Sequence, residues 1–111
     1  MGARLDHTLG NVSSLLYLDS LGKKGYIIDD YSEMEIVSNE PAYIEDSFAF
    51  ISLLNVSGTA KGITIENAKY LLNNAEITCE YQYGVSNEVL PGKTAKVSIL
   101  EGKLLLIKDR M

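Results

Sequence analysis

The stretch DDYSEMEIVSNE places Asp29, Asp30, Glu33, Glu35 and Glu40 within twelve residues of one another. Carboxylates are the hard oxygen donors that calcium and magnesium prefer. The spacing is not that of an EF-hand loop, and no glycine stands where such a loop turns. Solvated carboxylates are the reading that needs least, and a small carboxylate- or metal-dependent enzyme ranks last among the functions considered. Other catalytic chemistry has little to work with. His7 is the only histidine and Cys79 the only cysteine, so a zinc site lacks ligands and a Ser-His-Asp triad would need His7 held rigidly. No Gly-x-Ser-x-Gly elbow or phosphate-cradling glycine loop occurs, and SGTAKG (57–62) reads as a turn. No catalytic residue, metal or cofactor is assigned, and the chain is expected not to be an enzyme.

Charge is unevenly distributed. Residues 25–60 carry seven acids and no base, whereas residues 93–111 carry five bases and two acids; the whole chain has a net charge of −5. A nucleic-acid binder would need a basic stripe, which is missing. Asp29, Asp30, Glu33 and Glu35 form a candidate acidic surface for a protein partner. No apolar run approaches the length of a membrane-spanning helix, and the N-terminus lacks a signal-peptide core. Membrane insertion is not expected, and the cytoplasm is the default compartment.

These residues need elements to hold them. The chain has 111 residues, of which 46% are apolar, enough for one globular domain (1–111) with a flexible segment over 1–10. Turn signals recur about every eight to twelve residues, as in an all-β chain of short strands. AEITCEYQY (75–83) alternates, which would put Ala75, Ile77, Cys79, Tyr81 and Tyr83 on a core face. KTAKVSIL (93–100) does the same, and Gly102 turns the chain into KLLLIK (103–108). Residues 9–21 read as part of a hairpin around Lys23-Lys24 in preference to a helix, because Gly10 and Ser13-Ser14 weaken a helix.

Two strands are apolar on both faces. Leu104 and Leu106 point one way, and Leu105 and Ile107 the other. In SFAFISLL, Phe48 and Phe50 oppose Ile51 and Leu53. A lone two-layer body has one internal layer, so a helix, loops or another subunit must cover the second face. The closing LPGKTAKVSILEGKLLLIK is similar to the last hairpin of immunoglobulin-like envelope domains. It is equally similar to the closing strands of alpha-crystallin chaperone domains and of the small barrel appended to transporter ATPases. Pro91, Gly92 and Gly102 carry the likeness in all three, so no functional residue is transferred.

The expected fold is mainly β, an antiparallel sandwich of seven to nine short strands, with a small closed barrel as the alternative. The expected function is a non-catalytic structural or assembly module. It would associate with itself through Phe48, Phe50, Ile51, Leu53, Leu104, Leu105, Leu106 and Ile107. The alternative is an adaptor or envelope domain that recognises another protein through the acidic 29–46 segment.

Overall fold

The computed structural model describes residues 5–82 and 84–110. It begins with a helix, α1 (Leu5–Ser20), which corrects the expectation of a hairpin over 9–21. Tertiary packing decides the matter. Val12, Leu15 and Leu16 form a stripe that packs on Met34, Ile36 and Leu105 of the sheet. Burying one leucine contributes about 1.5–3 kcal/mol, which outweighs the roughly 1 kcal/mol cost of Gly10 in a helix. The stop is local. Gly22 adopts φ 76°, and the N–H groups of Gly22 and Lys23 donate to the carbonyls of Asp19 (3.0 Å) and Leu18 (2.9 Å). That left-handed cap is open to glycine without strain.

Among the described residues seven strands follow: β1 (Ile27–Ile28), β2 (Ser32–Val37), β3 (Ala42–Glu45), β4 (Phe50–Glu66), β5 (Leu72–Glu76), β6 (Thr94–Ser98) and β7 (Glu101–Asp109). Every pairing is antiparallel. The order is β1-β2-β7-β4-β6-β3, with β5 also on β4, and the sheet curls into a half-barrel. The expected mainly-β antiparallel class is therefore observed.

The curl is made by β4. Its first part, Phe50–Asn55, pairs with β7, and its last residues pair with β5 and β6; the register slips between Asn55 and Ala60. Asn55, 3% exposed, props this irregularity. Its Oδ1 accepts from the N–H groups of Ser57 (3.1 Å) and Gly58 (3.0 Å), and its Nδ2 donates to Ile77 O (2.7 Å). Opposite, Gly102 has φ 91°. A Cβ there would lie 1.8 Å from Thr59 O, so the β7–β4 approach excludes any side chain.

The main core includes Val37, Ile44, Leu53, Ile63, Leu104 and Leu106, drawn from both parts of β4 and from its neighbours. The second face of β7 is also covered within the chain: Leu105 is buried in a separate cluster under α1, with Ile107 packed against it. The two-sided strand thus finds its cover in a helix that its own N-terminal sequence supplies.

Two strand readings are corrected. Regular pairing in 75–83 stops at Glu76; Ile77 is buried, but Thr78–Tyr81 forms a turn, with Tyr81 N–H donating to Thr78 O at 3.2 Å. Cys79 is exposed rather than in the core, and Tyr81 is exposed with it. Tyr83 lies outside the described residues. Phe48 and Phe50 do not share a face. β4 begins only at Phe50, and a turn after Glu45 drops Phe48 into the core with Ile51 and Leu53.

Candidate functional site

The acidic segment is largely occupied with its own chain. Glu35 meets Lys24 and Lys108 at 3.2 Å each, and Glu33 meets Arg110 at 2.8 Å and Lys108 at 3.7 Å. Lys108 and Arg110 also lie over the Phe48 ring, 5.1 and 4.5 Å from its centre. Asp29 accepts from Tyr31 N–H (2.9 Å), Ser32 N–H (2.8 Å) and the Ser32 hydroxyl (3.0 Å). These bonds, the backbone ones first, hold its carboxyl below the usual pKa. Asp30 is exposed. A cleft of about 650 Å³ opens here, lined by Asp19, Lys24, Glu35, Ser38 and Tyr43 among others. Several of its ionic groups are paired: besides the Glu33 and Glu35 bridges, Asp19 meets Lys103 at 3.1 Å and accepts from Ser38 Oγ at 2.9 Å. Among the described residues no group of three or more His, Cys, Asp or Glu side chains is arranged to hold a metal. The side chain of His7 lies outside what is described.

Of the apolar residues singled out from sequence, Phe48, Ile51, Leu53, Leu104, Leu105 and Leu106 are buried within the chain. Ile107 is half-buried, and Phe50 is 37% exposed.

A second cavity has a different character. It measures about 200 Å³ and is walled by Ile65, Tyr70, Leu72, Gly84, Val85 and Asn87. The end of β4 supplies Ile65, the chain just before β5 supplies Tyr70, β5 itself supplies Leu72, and the loop at 84–88 supplies Gly84, Val85 and Asn87. That loop is stitched to β4: Leu53 N–H donates to Gly84 O, and Ile51 and Asn87 exchange both backbone bonds, all at 2.8 Å. Isolated bridges join Ile51 to Asn87 and Ala68 to Val89. Ser86 is held at φ 57°, a left-handed conformation uncommon for a side-chain-bearing residue, and its N–H donates to Ser52 Oγ at 2.9 Å. Backbone strain of this kind gathers at ligand clamps, where surrounding bonds over-determine it.

Tyr70 is 59% exposed at the cavity, and the Lys69 ammonium lies 5.4 Å from its ring centre. Lys69 also pairs with Glu88 at 3.5 Å. Tyr70 first, then the Glu88 carboxylate, holds the Lys69 ammonium above its ordinary pKa. Apolar walls, one aromatic face and a strained polar loop suit a small flat ring. Sequence reasoning missed this site because its walls are ordinary core residue types. The one local signal, the turn at 84–87, reads only as a strand boundary.

The fold defines a mainly β domain built on one antiparallel sheet curled into a half-barrel. Residues 33–104 match the family described as "Thiamin pyrophosphokinase, vitamin B1 binding domain", and the chain belongs to that family. It is 28% identical over 110 residues to the thiamine pyrophosphokinase of Bacillus subtilis (strain 168), covering 97% of this chain and 51% of that protein. It superposes on the crystal structure of the Bacillus subtilis thiamine pyrophosphokinase with a TM-score of 0.89 and 26% identity, covering 100% of this chain and 53% of that one. For the thiamin pyrophosphokinase from Geobacillus thermodenitrificans the TM-score is 0.84 and the identity 28%, covering 98% and 50%. The chain therefore spans about half the length of these relatives.

This family overturns the expected non-catalytic structural module, and with it the expectation that the chain is not an enzyme. Its relatives are enzymes, and the segment they share with this chain is named for a vitamin. The likeness of the closing hairpin to three other β families is likewise superseded.

Proposed function

We propose that the chain is the vitamin-binding part of a thiamin pyrophosphokinase, and that one ring of thiamin enters the cavity between Tyr70 and the 84–87 loop. One observation carries the choice of site: all six cavity-lining residues fall inside the matched segment 33–104. The larger cleft draws Asp19, Gly22, Lys23, Lys24, Tyr26 and Lys108 from outside it. Thiamin joins a flat aminopyrimidine to a cationic thiazolium. A cavity of about 200 Å³ is below the roughly 300 Å³ at which drug-sized pockets begin. It receives one ring and leaves the other, with the hydroxyl that accepts pyrophosphate, outside. The exposed Tyr70 face supports stacking or a cation–π contact worth about 1 kcal/mol. Binding of the pyrophosphate donor is assigned to residues beyond this chain, in keeping with its length relative to its relatives. We further read the curled sheet as the two layers of a sandwich, because both parts of β4 contribute to one core.

Titration of the isotope-labelled chain with thiamin, followed by amide NMR, tests the site. Saturable shifts are expected at Tyr70 and at 84–88. Shifts confined to the Asp19–Tyr43 cleft, or none at millimolar thiamin, would reject it.

A further inference from the structure

We infer that Asn87 is a positioning residue that sets the stance of Tyr70, and through it the fit of the flat ring; this rests on the site proposed above. Asn87 is 6% exposed, and its side chain is bonded to the backbone of Tyr70 and Glu88. Oδ1 accepts from Tyr70 N–H and from Glu88 N–H, both at 2.9 Å, and Nδ2 donates to Tyr70 O at 2.7 Å. The amide thus closes a two-way clamp on the backbone of Tyr70, while its own backbone is fixed to Ile51 by two bonds of 2.8 Å. The chain runs in sequence from the β4 ladder through Asn87 to the aromatic wall.

Tyr70 needs such a clamp. Its side chain is 59% exposed, so core packing does not hold the ring. Beside it, Lys69 N–H donates to Glu88 O at 2.8 Å, which ties the neighbouring peptide to the same loop. Only a primary amide supplies both an acceptor and a donor at this spacing. Aspartate would keep the acceptor but set a carboxylate oxygen against the Tyr70 carbonyl. Serine would keep one bond at most.

The test is a double-mutant cycle on thiamin binding with Asn87→Asp, Tyr70→Ala and the double variant, with thermal unfolding of each and amide exchange at residue 70. Asn87→Asp is expected to weaken thiamin binding about threefold with Tyr70 present, less than removal of the ring itself, and to add nothing once Tyr70 is alanine. It is also expected to strip exchange protection from the Tyr70 amide while distant core amides keep theirs. Asn87→Ser, which introduces no charge, serves if the aspartate variant does not fold. An equal loss in both backgrounds, or no loss, overturns the inference, because a general structural role would act irrespective of Tyr70. If the wild-type chain binds no thiamin at all, the site fails. The clamp is then decided by Tyr70 amide exchange alone: unchanged protection in the variant rejects it.

Discussion

Lys108 and Glu35 face each other from adjacent strands at 3.2 Å, and they are only 8% and 6% exposed. Each has a further partner: Glu35 has Lys24, and Lys108 has Glu33. Removing one member leaves an incompletely paired charge in a poorly solvated place. Glu35→Ala should lower the unfolding free energy by about 2–4 kcal/mol, measured in urea. Replacing the pair together, Glu35→Leu with Lys108→Met, should cost much less than Glu35→Ala, because no buried charge is then orphaned. If the double variant proves as unstable as Glu35→Ala, the charges themselves are not what the site demands.

Gly102 and Gly22 both have positive φ, but their surroundings differ. A Cβ at Gly102 would strike Thr59 O at 1.8 Å, whereas one at Gly22 meets nothing within 4 Å. Gly102→Ala must therefore separate β7 from β4 at the bend of the sheet, and should cost more than about 3 kcal/mol or prevent folding. Gly22→Ala should cost about 1 kcal/mol, the conformational penalty alone. Melting of the two variants under identical conditions checks the difference.

Asp29 provides a pH dependence with a definite sign. Its carboxyl is held below the usual value by the Tyr31 and Ser32 backbone N–H groups. A folded-state pKa below the unfolded one means the stabilisation is fully present above the unfolded value and is lost as pH falls through the folded value. Amide exchange at Tyr31 and Ser32, corrected for intrinsic rates, should accelerate over that acid window in the wild type. Asp29→Asn should remove the acid-induced change. A wild-type profile that stays flat through the window contradicts the role of Asp29 as the acceptor of this turn.

Much of the sheet was legible because β structure writes itself in alternation. Leu104 and Leu106 against Leu105 and Ile107 announced a strand with two covered faces, and both covers exist. The same rule misled at Cys79 and Tyr81: alternation continues in the letters after Glu76, but the chain there turns back on itself. Helix α1 was hidden for the opposite reason, since Gly10 and the serines weaken a local signal that packing on Met34, Ile36 and Leu105 restores. The cavity was least legible. Ile65, Tyr70, Leu72 and Val85 become a site only when the bridges of Ile51 to Asn87 and Ala68 to Val89 bring their segments together. Those contacts depend on tertiary pairing, which no local pattern records.

The helix and the cavity are separable, and that separation can be measured. Leu15 is 4% exposed and belongs to the cluster with Met34, Ile36 and Leu105, while Ile65, with Leu72 packed alongside, belongs to the main core. The β7 backbone lies between the two sets: Leu105 faces the helix, and Leu104 and Leu106 face the main core. Leu15→Ala leaves a void under α1 and should cost about 2–4 kcal/mol in chemical unfolding. Interiors transmit strain, but sites without shared partners add nearly independently. At a temperature well below the lowered midpoint, the thiamin affinity of Leu15→Ala should stay within about twofold of wild type. Tyr70→Ala should show the reverse, a stability change within about 0.5 kcal/mol and a loss in affinity of about fivefold, the equivalent of roughly 1 kcal/mol. Parallel losses of affinity and stability in both variants would mean that α1 and the cavity share one cooperative unit and that the cavity's shape depends on the whole sheet.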